Sequence, residues 1–379
     1  MKRLLQIDWF LVLSALFIYG TGMLSLYSFA ATGAGGTFVG SYFFRQALYG
    51  AIGISVMFVV SSLDYRHIGR FSTPIYFIMV AVLLVAVLFG KTVNGTTGWI
   101  SLGVSQFQPV EGAKAALLLF LARFIAEKRS ELGEWVRIIA SLVLSSLYIF
   151  LVLRQPDFGS ALTLAALWGG MILLSGIRWK HIAVLALLGV ALSFTGWFFL
   201  EGYQKDRIEV FLHPETDPRG SGYNVMQAMV AIGSGGVFGK GVGYGSQSQL
   251  NFLPEKHTDF IFAVVGEELG LVGVGAVLFA YGMLLFRIYR IALLARDNAG
   301  YLLCVGATVY FLFQISVNVG MNLGVFPVAG LPAPFLSYGG SSLLASFVIL
   351  GLLLSVYRHR KAETLSVSGW YSMDEYFLP

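Results

Sequence analysis

The sequence predicts an all-α polytopic membrane protein of about ten transmembrane helices, with a large extracytoplasmic loop between the seventh and the eighth. Three observations predict it. Of 379 residues, 57% are hydrophobic and only 12% charged, about half the charge fraction of an ordinary soluble domain. The mean hydropathy is +0.76. Apolar runs of bilayer-spanning length recur from one end of the chain to the other.

The spans fall at 8–29, 43–62, 71–90, 109–127, 136–154, 158–176, 181–200, 259–287, 301–323 and 339–357. The first follows Lys2 and Arg3 and has no small-residue cleavage site after it, so it reads as a signal anchor. The eighth is longer than a bilayer needs and must tilt or protrude. One set of loops carries Arg66, Arg70, Lys128, Arg129, Arg137, Arg178, Lys180, Arg287, Arg290, Arg296, Arg358, Arg360 and Lys361. The opposite short loops hold little beyond Lys91 and Arg154. This asymmetry places both termini in the cytoplasm of an inner (plasma) membrane protein.

The chain reads as a single domain, 1–379, without a fixed-period repeat. Residues 201–258 form the large outer loop, and a loop of that length is usually functional. A second outer loop spans 91–107 and carries Trp99; the tail 362–379 is short and cytoplasmic. The lone Cys304 excludes a disulfide framework, and the five histidines are scattered. A net charge of +5 in such a chain reports loops facing the cytoplasm and does not indicate nucleic-acid binding.

Several constellations could carry chemistry. The run GSGGVFGKGVGYG (233–245) has the glycines of a phosphate cradle but neither nucleotide fingerprint, and tight turns on a membrane surface are the simpler reading. In NFLPEKHTDFIFAVVGEELG (251–270), Thr258 is placed to cap a helix beginning near Asp259. Asp259 then meets the outer interface beside Phe260, Ile261 and Phe262, where partial desolvation raises a carboxyl toward a useful base. Stabilisation of the helix N-terminus is the competing role. Glu267 and Glu268 lie about 12–14 Å deeper and favour structural hydrogen bonds. Glu111 and Lys114 in QPVEGAK (108–114) share a helix face and can pair, or Lys114 can face a lipid phosphate with Glu111 holding it. Lys205, Arg207, Arg219, Lys240 and Lys256 make the long loop basic, and Arg154 stands beside Asp157 in RQPDFG. These are solvated loop charges or ligands for an anionic lipid headgroup.

RQPDFGSAL (154–162), QPVEGAK (108–114), HPETDPRGSGYNVMQAMVAIGSGGVFGKG (213–241), SQSQLNFLPEKHTDFIFAVVGEELGLVG (246–273) and LPAPFLSYGGSS (331–342) together resemble the SEDS family of bacterial cell-wall synthesis, over nearly the whole chain. The QSQL–FLPE pattern and Lys256 look more like the elongation (RodA) branch than the division (FtsW) branch. The resemblance implies a peptidoglycan glycosyltransferase that polymerises lipid II at the outer leaflet, for cell elongation and shape. It implies Asp259 as the essential aspartate and Lys114, beside Glu111, as the family's lysine. It further implies a class B penicillin-binding protein as transpeptidase partner, in an assembly with MreC and MreD. One departure is visible: many elongation members carry arginine before the outer-loop tryptophan, where this chain has Gly98.

On that reading Asp259 is the general base for the sugar 4-hydroxyl. Lys114, aided by Arg207 or Lys240, stabilises the departing pyrophosphate, with Arg154 as a further outer-face cation. No dedicated metal cage is present in the sequence, so a Mg²⁺ or Mn²⁺ ion would be held largely by substrate pyrophosphate. The rivals are a lipid II flippase, a division-type polymerase and a non-catalytic scaffold; a transporter often carries paired repeats, which this sequence lacks.

Overall fold

The computed structural model describes residues 7–31, 42–93, 96–102, 105–127, 133–199, 202–217, 220–250 and 252–360. Lys2, Arg3, Lys128, Arg129, Arg219, Lys361 and the tail 362–379 lie outside the described residues. In chain order the helices are α1 (Trp9–Ala31), α2 (Tyr42–Ser62), α3 (Tyr65–Arg70), α4 (Ser72–Phe89), α5 (Pro109–Glu127), α6 (Glu134–Leu153), α7 (Phe158–Leu173), α8 (Trp179–Phe199), α9 (Gly202–Leu212), α10 (Ser221–Ser234), α11 (Ser246–Gln249), α12 (Ile261–Leu293), α13 (Asn298–Asn322) and α14 (Gly340–Arg358). Ten of them, α1, α2, α4–α8 and α12–α14, fall on the ten expected spans.

Seven of these, α1, α2, α4, α6, α12, α13 and α14, are long and apolar enough to cross a bilayer. α5 departs from that pattern because it carries Glu111, Lys114, Arg123 and Glu127. It is buried along most of its length and packs against α4, α6, α7, α13 and α14. Protein surrounds it, so it can hold polar groups that a lipid-facing helix could not. Around this centre α14 packs on α2, α1 on α12, and α12 on α13. Arg287 of α12 donates to Asp8 at 3.0 Å and ties the start of α1 to the far end of the bundle.

Residues 91–107, expected as a loop, form an antiparallel three-stranded meander: β1 (Lys91–Val93), β2 (Thr96–Leu102) and β3 (Ser105–Phe107). Thr97 N–H donates to the Gln155 carbonyl at 3.2 Å, which joins the meander to the turn before α7. Gly98 is buried against the Gln155 side chain. An arginine there could not keep this packing.

α12 explains its own excess length. Gly270 interrupts it at φ 65°, ψ −163°, leaving a short limb, 261–269, and a long one, 271–293. A break inside a membrane protein exposes backbone groups that must be answered by protein. The glycine-rich run answers them. Lys240 and Gly241 N–H donate to the carbonyls of Glu267 and Glu268, both at 3.0 Å. Leu271 and Val272 N–H donate to Gly236 and Val237 at 2.9 and 3.1 Å. Gly236, Gly239, Gly241 and Gly243 all have positive φ, which lets this loop follow the broken helix closely.

The long loop expected at 201–258 contains α9, a 3₁₀ turn (Pro214–Thr216), α10 and α11, so it has regular structure of its own. Glu267 and Glu268 fasten it, as the structural reading of these residues expects. Glu267 accepts from Lys240 Nζ at 2.9 Å, Gln247 N–H at 2.9 Å and Ser248 N–H at 3.0 Å. Glu268 accepts from the Ser28 hydroxyl at 2.8 Å and Gly243 N–H at 3.1 Å.

A side chain at Gly270 would enter the backbone of Val237 and Gly239 and would also hold an unfavourable φ. Gly270→Val is therefore expected to destabilise the protein by about 2–4 kcal/mol. Thermal unfolding of the detergent-solubilised chain measures it, and a melting temperature equal to that of the parent would refute this account of the break.

Candidate active site

Asp259 lies in the turn 252–260 that leads into α12. Thr258 does not cap the helix, contrary to the sequence expectation. The cap position falls on Phe260, which makes no side-chain cap bond. Thr258 Oγ1 instead donates within the turn, to Glu255 Oε2 at 3.0 Å. Glu255 has φ +49°, so the chain bends sharply here and the helix begins two residues after Asp259. The capping role passes to another helix: Asn322 Oδ1 of α13 accepts from Ala263 N–H at 3.1 Å.

The backbone of Asp259 is held from α13. Asn318 and Asn322 each donate a side-chain amide N–H to its carbonyl oxygen at 3.0 Å. The preceding residues are held from the loop before α14. Ser337 Oγ donates to the Thr258 carbonyl at 2.6 Å, and Tyr338 N–H to the His257 carbonyl at 2.9 Å. Among the described residues no group hydrogen-bonds the Asp259 carboxylate itself. A side chain at Gly330 would come within 3.9 Å of Asp259 Oδ2, so glycine leaves the space beside it open.

Asp259 keeps part of its surface open yet is crowded by protein, as at the foot of a crevice. Desolvation pushes its carboxyl up to about 7 from an ordinary 3.8. The negative charges of Glu255 and Asp157 add to the rise, and Arg207 opposes it. Arg207, on α9, is thus the cation brought near Asp259. It also lines a small apolar slot with Phe211, Phe326 and Pro327. Asp157 caps α7 by accepting from Ser160 N–H at 3.0 Å.

The other expected site residues lie differently. The ammonium group of Lys240 is held by Glu267 and by Ser246 Oγ, each at 2.9 Å, and serves the α12 break. Arg154 is exposed and lies over the Phe150 ring at 5.3 Å. Lys114 pairs with Glu111 at 2.7 Å, and both are buried. Beside this pair, Tyr310, Gln314 and Ser346 form a buried polar cluster, and Glu111 Oε2 is buried without a hydrogen bond among the described residues. In this conformation a substrate phosphate does not reach Lys114. Among the described residues no three Asp, Glu, His or Cys side chains converge as a metal site.

Sequence reading missed the Asn318–Asn322 clamp, although two amides four residues apart in an apolar span were a usable signal. It also passed over Glu255 and Asp157 as charges acting on Asp259.

A half-open carboxyl near neutrality, the opposing charge of Arg207 and an apolar slot lie together at one end of a helical membrane bundle. The chain belongs to the FtsW/RodA/SpoVE family of cell cycle proteins, whose model matches residues 7–362. It is 40% identical over 318 residues to the peptidoglycan glycosyltransferase MrdB of Escherichia coli K12, covering 84% of this chain and 86% of MrdB. It is 38% identical over 375 residues to the probable peptidoglycan glycosyltransferase FtsW of Trichlorobacter lovleyi, covering 96% of each. The fold also matches a chain of a solved peptidoglycan synthase complex that coordinates polymerization and crosslinking. That match has a TM-score of 0.78 and 31% identity, and covers 94% of this chain and 99% of the other.

The folded pKa of Asp259 lies above its unfolded value, so the carboxyl penalises the fold only where it must ionise. The penalty is absent below about pH 4 and complete above about pH 7. Asp259→Asn is expected to raise the melting temperature at pH 8 and leave it unchanged at pH 4. Equal effects at both pH values would contradict the assignment.

Proposed function

We propose that this chain is a peptidoglycan glycosyltransferase that polymerises lipid II during cell elongation, with Asp259 as general base. The observation that carries the reading is a carboxyl with no hydrogen-bond partner among the described residues, held by its backbone and raised to about 7 by desolvation. A base with that pKa is about half ionised at neutral pH and still proton-seeking. Asp259 takes the proton of the acceptor 4-hydroxyl as that oxygen attacks the donor's anomeric carbon. The bond from that carbon to the pyrophosphate oxygen breaks, and undecaprenyl pyrophosphate leaves. Arg207 opposes the charge that develops there. A single displacement inverts the anomeric centre and needs no ATP, because the donor is already activated.

A divalent ion, if used, would be held mainly by the pyrophosphate, with at most one or two carboxylates near Asp259. The loop cations favour termini in the cytoplasm and the site at the outer leaflet of a bacterial plasma membrane. The synthase complex with the matching fold supports a crosslinking partner, which we take to be a class B penicillin-binding protein. MreC and MreD complete the proposed assembly. The QSQL–FLPE segment favours elongation over division.

Lys114 would join the site only if α5, α13 and α14 part around it. The buried polar cluster of Tyr310, Gln314 and Ser346 and the unpaired Glu111 Oε2 beside it support such an opening. The same buried polar patch is what favours the second reading, lipid II translocation.

The test uses purified chain in detergent with lipid II, where no transmembrane gradient exists. Glycan polymer should form, and Asp259→Ala should lower the rate at least roughly a hundredfold. Full activity in Asp259→Ala would sink the catalytic assignment; absence of polymer from the parent chain, with translocation in vesicles, would favour the flippase. Lys114→Ala strands Glu111 and is expected to destabilise by about 3–5 kcal/mol, a loss that Lys114→Ala/Glu111→Ala should largely recover. If the refolded double variant also polymerises at the parent rate, Lys114 serves the fold alone.

A further inference from the structure

α13 holds the Asp259 turn at one end and, with α5, borders a second concavity at the other. α13 presents Asn318 and Asn322 to Asp259, and its opposite end begins at Asp297, about 37 Å away along the helix. There the last turns of α5, the start of α13 and the short helix α3 enclose a cavity of about 420 Å³. Its walls carry Arg66, Arg70 and Arg123, two carboxylates (Glu127 and Asp297), and apolar surface from Leu119 and Leu303. Nothing in the proposed glycosyl transfer uses it.

The donors and acceptors around this cavity are unequal. Glu127 accepts from Arg123 Nε, and Asp297 Oδ1 accepts from Gly300 N–H at 2.7 Å as the cap of α13. Arg123 also donates Nη1 to the Gly69 carbonyl, which leaves Nη2. Arg66 gives Nε and Nη2 to Asp64, at 3.1 and 2.6 Å, which leaves Nη1. Arg70 is exposed and makes no hydrogen bond or ion pair among the described residues. The carboxylates are engaged, while charged donors on three arginines are not. Such a surface is complementary to a multidentate oxyanion. The cavity lies where the apolar helix α13 begins and α5 ends, and its leucines suit the glycerol and first methylenes of a lipid.

We propose that this cavity binds the phosphate of an anionic phospholipid from the leaflet opposite Asp259. Basic pockets between membrane helices recognise lipid headgroups by this combination of charge and apolar wall. A lipid seated there would contact α3, α5 and α13 together, and α13 also holds the backbone of Asp259.

Native mass spectrometry of the full chain, exchanged into mixed phosphatidylglycerol and phosphatidylcholine, tests the proposal. The parent chain should retain phosphatidylglycerol over phosphatidylcholine by at least about tenfold. Each arginine near a headgroup contributes roughly fivefold, so Arg70→Ala should lose about that much preference and Arg70→Ala/Arg123→Ala more than tenfold. Arg70 is exposed, so its single variant remains informative if the double variant fails to fold. Lys91→Ala, on the outer face, should keep the full preference. Equal retention of the two lipids would overturn the proposal, as would a preference unchanged in Arg70→Ala or lost equally in Lys91→Ala. If millimolar inorganic phosphate fills the site and abolishes the lipid preference, the ligand is a soluble phosphate and the lipid assignment fails.

Discussion

The constraint on which this structure turns is the break of α12 at Gly270. Hydrocarbon offers no hydrogen bonds, so a helix interrupted near the membrane must find partners for its freed backbone within the protein. Here the partner is the loop 236–241, and the match is made backbone to backbone on both sides of the break. That single requirement accounts for the density of glycines in the loop and for the two buried glutamates that fasten it. It also accounts for the bond between Lys240 and Glu267. The short limb 261–269 is thereby fixed relative to the outer loop, and Asp259 sits two residues before it.

A second consequence concerns how Asp259 is held. Asn318 and Asn322 grip its carbonyl oxygen, and Ser337 and Tyr338 grip the two residues before it. Hydrogen bonds to the carboxylate would have stabilised its charge and lowered its pKa. Holding the backbone instead fixes the position while leaving the carboxyl to desolvation and to its neighbours' charges. Rigidity and basicity, which oppose each other when one group must supply both, are separated between main chain and side chain.

The sequence disclosed what depends on local composition. Span positions follow from apolar run length, and the structure departs from them by a few residues at most ends. What it hid depends on distant partners or on single dihedral angles. Beside Gly270 the run 259–287 dips in hydropathy only at Glu267 and Glu268, and a carboxylate pair in an apolar run does not by itself specify a broken helix. The meander at 91–107 is built from short strands that pair with one another, and it meets the distant Gln155 carbonyl through Thr97 N–H. Lys240 read as a loop cation because its partner lies 27 residues further on, inside a helix. Thr258 stood at a plausible cap, and the extra turn made by Glu255 displaced the helix start past it. Asp259 itself was legible because its chemistry, a carboxylate followed by three apolar residues at an interface, is local.

The distribution of polar groups separates chemistry at one face from passage between faces. A conduit needs polar groups along its length that meet solvent on both sides in turn. Between the Asp259 crevice and the opposite cavity, α5 and α13 carry buried polar residues, but Lys114 and Glu111 pair with each other and lie beneath protein. Asp259, its charged neighbours Glu255, Asp157 and Arg207, and the apolar slot all gather at one end. The cations of the opposite end gather around a cavity that α5 and α13 close off from the crevice by about their own length. Two clusters of different chemistry at the two ends of α13 fit the proposed membrane enzyme, whose reacting end and lipid-contacting end would be mechanically joined, more closely than they fit a path for a substrate.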